Sequence, residues 1–398
     1  MNINNNKIKL PLILSFLIFS ILLNSMGVII LQLSQQISYK GLGFLESFKD
    51  IPMALVSLFC VNLIRKTGNK NALMFSLVFI ILSCIALPLV DAFWFFKIWL
   101  SIVGVSFALA KISVFSIIKD NFRDQHLAST MSRVEASFMI GIFIVNIGFG
   151  SLLCSSYAEY WKYGFWLIAV LSIITLIVLK RSEISEAIVE KNEFSGGLDF
   201  FRSPKIVIFF CIIFLMVFVE QSFNSWLPSF YKNNLKVNSY FALQSSAFLA
   251  LFSFLGRLVT SKLILRVHWF RFVITCLLCL FIILGTSQVL ITFFYNSSKW
   301  IIIILIPITG LFLSPLYPLY NSEVLNKIAS DKTHLFISVV VICSSLGSSL
   351  GSLYMALIFH EKVSNFYPLY IIMPLLFIFG LTFFLNKTKM NYDRDQKN

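Results

Sequence analysis

The stretch FFCIIFLMVFVEQSFNSWLPSFY, residues 209–231, carries a single charged side chain, Glu220, in an otherwise apolar run. Its length and character fit a membrane span. Crossing the hydrocarbon core takes roughly 20 mostly apolar residues, and lipid offers no water to backbone groups, so the segment closes its own hydrogen bonds as a helix. Comparable runs recur on both sides. Before it lie 10–33, 42–64, 72–90, 93–118, 129–153 and 164–179; after it lie 241–265, 272–294, 300–320, 335–359 and 366–385. Directly upstream, residues 180–205 are charged and polar, with Gly196-Gly197 among them, and read as a flexible connection with room for an amphipathic surface helix. The chain thus divides into an N-terminal six-helix bundle (1–180), a linker (181–205), a C-terminal six-helix bundle (206–385) and a tail (386–398). The predicted fold class is an all-α membrane protein with twelve transmembrane helices in two six-helix bundles. Six plus six with parallel repeats is the signature of a rocking two-bundle transporter.

Composition agrees. The 398 residues are 58% hydrophobic and only 13% charged, outside the soluble globular range. A formal charge of +14 raises nucleic acid as a partner, but such a binder gathers its Lys and Arg on one continuous face. Here they fall in bursts on alternate loops: Lys7 and Lys9; Arg65, Lys66 and Lys70; Lys119 and Arg123; the linker; Lys262, Arg266 and Arg271; Lys327 and Lys332; and the tail. The intervening loops hold only Lys40, Lys162, Lys232, Lys236, Lys299 and Lys362. By the positive-inside rule both termini and the linker are cytoplasmic, and the charge is a topology signal rather than a nucleic-acid footprint. The seven cysteines lie in or at the ends of spans and read as small hydrophobes. Cys276 and Cys279 form a C-x-x-C with no second pair and no nearby His, so no metal is expected, and no cofactor. The N-terminal apolar run exceeds a signal-peptide core and has no small-residue cleavage site after it, which makes it an uncleaved first span.

Three short motifs are more specific. After span 2 comes Val61-Asn62-Leu63-Ile64-Arg65-Lys66-Thr67-Gly68-Asn69-Lys70. After span 8 comes Gly256-Arg257-Leu258-Val259-Thr260-Ser261-Lys262-Leu263-Ile264-Leu265-Arg266, and Trp161-Lys162-Tyr163-Gly164-Phe165 leads into span 6. These resemble, in turn, the G-x-x-x-D-R-x-G-R-K loop, its G-R-x-x-x-G-x-L-x-D-R counterpart and the W-R-x-x-F signature of the major facilitator superfamily. The resemblance covers nearly the whole chain in architecture and these stretches in residues. It implies alternating access between two bundles, with helices 1, 4, 7 and 10 lining a central cavity and helices 3, 6, 9 and 12 facing lipid. It also implies a conformational role for Arg65, Lys66, Gly68, Lys70, Trp161, Lys162, Phe165, Gly256, Arg257 and Arg266. Both loops depart from the family pattern by lacking its aspartate, having Arg65 and Leu265 instead, so a charge-based latch between bundles is not expected in that form. Span 5 has Gly141, Gly148 and Gly150 but no Gly-Pro pair, unlike the antiporter motif of drug exporters, which leans the reading toward uptake.

Charged groups inside spans cost about 2.5–3.5 kcal/mol on insertion scales, so they face a cavity or a partner. Span 2 carries Glu46, Lys49 and Asp50 at spacings that share one face. Two readings stand for them: a local ion pair solvated at the outer mouth, or a gate or proton site. Lys111 in span 4 is expected to pair with Glu135 in span 5 or with a substrate carboxylate, as a structural bridge or as a binding group, while Arg133 snorkels to the cytoplasmic face. Arg257, at the end of span 8, either snorkels or meets an anionic substrate or the moving loop. Glu220 is the leading candidate to carry a coupling proton, since burial in low dielectric suits a carboxyl to reversible protonation; a hydrogen-bonded structural acid is the competing reading. Glu135, Asp50 and Glu46 are further proton-site candidates. Asn224 shares a face with Glu220, Trp226 and Pro228 follow, and Asn24, Gln32, Tyr317 and Tyr320 complete the candidate solute lining. Gly347 and Gly351 form a G-x-x-x-G that fits a close helix contact better than a ligand site.

A membrane enzyme would cluster His, Asp or Glu at one interface, yet His126, His268, His334 and His360 are scattered and no H-E-x-x-H or phosphate-cradling loop occurs. A channel or receptor is the other rival, and a channel would repeat one polar ring across subunits. The sequence reading is therefore a monomeric secondary active transporter, not an enzyme, that moves a small polar solute with protons across the lipid bilayer. Lys111, Arg133 and Arg257 allow an organic anion such as a carboxylate metabolite or carboxylate siderophore, and proton-driven export of a siderophore, metabolite or drug is the alternative. Abundant Lys, Asn, Ile and Phe point to a bacterial inner membrane.

Overall fold

The computed structural model describes residues 2–26, 29, 39–90, 92–153, 155–186, 203–264, 266–328, 332–361 and 363–387. The first half is α1 (Asn2–Asn24), α2 (Tyr39–Thr67), α3 (Asn69–Ala86), α4 (Phe93–Asn121), α5 (Asp124–Leu153) and α6 (Gly164–Arg181). The second is α7 (Pro204–Asn233), α8 (Ser239–Leu263), α9 (Trp269–Phe293), α10 (Tyr295–Leu313), α11 (Leu316–Leu325), α12 (Thr333–His360) and α13 (Tyr367–Lys387). Helices α10 and α11 are one span broken at Ser314-Pro315, where proline lacks the N–H that would continue the ladder. This tenth span runs further than the expected 300–320, to Leu325.

Eleven helical segments among the described residues are long and apolar enough to cross a membrane. The twelfth span is α2, whose 29 residues extend about 43 Å but whose charges Glu46, Lys49, Asp50, Arg65 and Lys66 dilute its apolar character.

Packing repeats between the halves. In the first, α1 packs on α5 and α6, α2 on α4, and α3 on α4 and α6. In the second, α7 packs on α12 and α13, α8 on α10, and α9 on α10 and α13, so each pair has its partner six spans on. The halves meet through α2 on α12 and α5 on α8, which are again equivalents of each other. One two-fold relation therefore places four helices at the interface and leaves α3, α6, α9 and α13 outermost. Their large apolar side chains face outward, among them Phe79, Leu167, Ile282 and Phe377. In a bilayer that surface needs no covering partner.

Glycines set the closest approaches. A Cβ on Gly347 or Gly351 would fall 2.3 or 2.4 Å from the carbonyl oxygens of Phe214 or Phe218, so the G-x-x-x-G holds α12 against α7. A Cβ on Gly104 would fall 2.1 Å from Lys49 O, and this contact seats α4 against the charged part of α2.

Candidate functional site

Between the halves lies a cavity of about 110 Å³ lined by charged, polar and aromatic side chains, walled by α1, α2, α4 and α5 on one side and α7, α8, α11 and α12 on the other. Its electrostatic centre is Arg257, and the local sequence explains how it gets there. Gly256 lets α8 press on α10, since a Cβ would lie 2.3 Å from Leu311 O. Leu311 is four residues before Pro315, so its carbonyl has no helical donor; likewise Pro318 leaves the Ser314 carbonyl without one. Arg257 Nε takes that vacancy, donating to Ser314 O at 3.1 Å, while Ser314 Oγ donates to Ser253 O.

The rest of the guanidinium bridges the halves. Nη1 donates to Glu135 O at 2.5 Å and lies 3.1 Å from Glu135 Oε2; Nη2 lies 3.3 Å from Glu220 Oε1. Ser132 Oγ, on α5, donates to Arg257 O at 2.8 Å. Arg257 is 1% exposed, so it neither snorkels nor meets the loop, and its burial is sustained by acceptors on three helices. The Glu135 side chain is 7% exposed and that of Glu220 is 23%, so Glu220 is the arm of the bridge that opens to the cavity.

This geometry corrects one expectation. Glu135 pairs with Arg257 rather than Lys111, because the guanidinium fork reaches both its carboxylate and its own carbonyl. Glu220, the proton-site candidate, is one of two carboxylates on a shared cation. Lys111 instead lies among rings, with Nζ 4.9 Å from the centroid of Tyr317, 5.6 Å from Phe107 and 5.9 Å from Phe115, and it lines the cavity. Arg133, expected to snorkel to the cytoplasmic face, is exposed.

On α2, Lys49 and Asp50 are paired at 3.6 Å and are buried rather than solvated at a mouth, and Ser349 of α12 donates to Asp50 Oδ2 at 3.2 Å. Asn24, Asn224 and Tyr317 line the cavity as expected, joined by Gln221 of α7 and by Ser344, Ser345 and Ser348 of α12. Trp226 and Tyr320 do not. The Trp226 indole donates to Ser352 Oγ at 3.2 Å and stacks on Phe359, while Tyr320 bonds Thr382 inside the second half. Gln32 lies outside the described residues, as do the side chains of Glu46 and Arg65.

The motif residues serve local structure. Trp161 stacks on Phe96 and meets Phe165 edge-on, and the Lys162 ammonium sits 5.3 Å over the Phe96 ring. Lys66 and Arg266 are exposed. Gly68 turns α2 into α3 at φ +85°, and Lys70 Nζ donates to Lys180 O and Ser182 O.

Three contacts escaped the sequence reading. Glu186, at the start of the linker, accepts from the backbone N–H groups of Asn69 at 2.9 Å and Lys70 at 2.7 Å, supplying the negative charge that the α3 N-terminus lacks. Lys119 Nζ crosses between halves to donate to Leu325 O at 2.6 Å and Ile328 O at 2.7 Å, at the end of α11. His334 Nε2 is 3.0 Å from Asn69 Oδ1, again across halves. A sequence signal existed only for Lys119, a basic residue in the last turn of its helix.

The chain matches the sequence profile of the Major Facilitator Superfamily over residues 12–352. It belongs to that superfamily. No protein of curated function matches the sequence. Among solved structures, this superfamily member is similar to a D-xylose-proton symporter (TM-score 0.78, 14% identity, 97% of this chain and 98% of that one). The E. coli fucose:proton symporter (0.75, 14%, 96% and 98%) and the human organic anion transporter MFSD10 (0.74, 13%, 95% and 98%) are similar too. At these identities the likeness establishes the superfamily fold, and the cavity residues must speak for themselves.

Proposed function

We propose that this superfamily member is a secondary active transporter that takes up a small polar solute together with protons. The observation that carries the reading is Arg257, buried on α8 and shared by Glu135 of the first half and Glu220 of the second. With both carboxylates ionised the guanidinium holds α5, α7 and α8 together. A proton on Glu220 removes the guanidinium's charged acceptor within the second half and leaves Glu135 as its charged acceptor across the halves, so protonation at the cavity changes how α8 is held against α7 and α5 and thereby biases the rocking of the halves. The cavity's size supports a small solute, being well below the roughly 300–1,000 Å³ of drug-sized ligand sites. That similar folds include sugar:proton symporters supports the same mode of transport. The basic residues of alternate loops support both termini on the cytoplasmic side of a bacterial inner membrane, and one chain encloses the whole cavity, as a monomer would.

The test is uptake into proteoliposomes of labelled sugars and organic acids under an imposed pH gradient. Accumulation is expected to follow the gradient in the wild type and to be lost in Glu220→Gln, with counterflow exchange retained. A Glu220→Gln protein that still accumulated solute with unchanged pH dependence would overturn the coupling role.

A further inference from the structure

The transporter reading leaves the chemical class of the solute open, and the inference below rests on that reading. Among the described side chains, the cavity holds three cations, Lys49, Lys111 and Arg257, and three acids, Asp50, Glu135 and Glu220. The formal charges cancel, but they are not distributed evenly. Lys49 and Asp50 form a neutral pair. Arg257 serves two carboxylates and leaves that cluster with one negative charge in excess. The compensating positive charge is Lys111, which among the described residues has no carboxylate within 4.0 Å and faces the cavity from a collar of Phe107, Phe115 and Tyr317.

We infer that the solute is a small organic monoanion, a carboxylate held at Lys111, and that it travels with one proton on Glu220. The ammonium at the cavity wall is a ready donor for a carboxylate, and the ring collar excludes water from the contact. The rest of the lining supplies neutral hydrogen-bonding groups, Asn24, Gln221, Asn224 and the serines of α12, which suit hydroxyls on the same small molecule. Once a carboxylate neutralises Lys111, the Arg257 cluster keeps an uncompensated negative charge in a poorly solvated space, which is costly. One proton removes that excess, and it lands on Glu220, the arm open to the cavity. The groups facing Glu220 are Arg257 from α8, Glu135 from α5, Lys111 from α4 and Tyr317 from α11. A neutral sugar would leave the empty cavity's charge balance unchanged without any proton, so a proton that enters with the solute is what separates an anion from a sugar.

The test pairs sugar acids and hydroxy acids (gluconate, glucuronate, glycerate, lactate) with neutral counterparts (glucose, xylose, fucose, glycerol) in ligand-induced thermal shift at pH 6 and pH 8. Counterflow and proton flux with the same molecules follow in proteoliposomes. At least one monocarboxylate is expected to stabilise the protein, more strongly at pH 6, and to enter with one proton per molecule and without response to an imposed membrane potential. Lys111→Met is expected to weaken that binding by about 10- to 100-fold, the loss of a charged hydrogen bond, and Lys111→Arg to keep most of it. Glu220→Gln is expected to bind the anion with no pH dependence, a change a purely structural acid would not cause. Counterflow of neutral sugars with no response to any monocarboxylate overturns the inference while leaving the transporter standing. Carboxylate entry that follows the membrane potential overturns the one-proton balance. Absence of counterflow for both panels overturns the transporter reading and this inference with it.

Discussion

At the scale of single residues, the Arg257 bridge makes a coupled prediction. Removing the guanidinium leaves Glu135 and Glu220 facing one another in a buried site, and breaking a buried pair from one side costs about 3–5 kcal/mol. Arg257→Ala should therefore lower the melting temperature in detergent sharply, and Arg257→Lys should do so partially, since an ammonium cannot reproduce the fork that spans Ser314 O, Glu135 and Glu220. Adding Glu220→Gln to Arg257→Ala should recover part of the loss, because it removes one of the stranded charges. Additive melting shifts for the two changes would refute the bridge, since groups in contact do not add. The sequence announced Glu220 as a buried acid, but it left Arg257 at the end of span 8, snorkelling or meeting an anionic substrate or the moving loop, and did not show that the two meet. They are 37 positions apart, on adjacent helices, and the Ser314 carbonyl that Pro318 leaves free joins Glu135 and Glu220 in holding Arg257 inward instead of toward the surface.

At the scale of elements, the turn between α2 and α3 shows what a local motif can and cannot reveal. Gly68 was legible as a turn glycine from its family-like loop. Its φ of +85° and the Glu186 carboxylate 2.6 Å from where a Cβ would sit explain why nothing larger fits. Left-handed backbone costs an L-residue about 1–2 kcal/mol, so Gly68→Ala should destabilise the protein by at least that much, read by thermal melt. Glu186 was illegible, because 117 positions separate it from the Asn69 N–H that it accepts from. Its loss removes two hydrogen bonds at a helix N-terminus, worth about 0.5–2 kcal/mol together. Glu186→Ala should accordingly free the chain after α6 and speed tryptic cleavage after Lys180 and Arg181, with Glu186→Asp intermediate. Unchanged cleavage would mean that the Lys70 and Asn121 contacts to residues 180–185 hold this strap unaided.

At the scale of the whole molecule, the repeated six-span hydropathy and alternate-loop charge made the fold readable, because in lipid the backbone has few alternatives to a helix. What hydropathy cannot encode is how the two halves are held at one end. The loop aspartates of the family latch are missing, and where α4 and α11 end the halves are joined instead by Lys119 on the carbonyls at the end of α11 and by His334 on Asn69. A cation on carbonyls at a helix C-terminus is favoured by the helix dipole as well as by the bonds themselves. Rocking that parts the halves at this end must break both contacts. Lys119→Ala, losing two charge-assisted bonds each worth roughly 1.5–3 kcal/mol at most, should shift the resting population toward opening at this end by on the order of tenfold or more. Hydrogen exchange reads this directly: amides at the ends of α4 and α11 should exchange correspondingly faster in Lys119→Ala, those of the Arg257 bridge less so, and Lys119→Arg should restore protection. Equal protection in the wild type and Lys119→Ala would place the closure elsewhere, in the α2–α12 and α5–α8 seams that run the depth of the molecule.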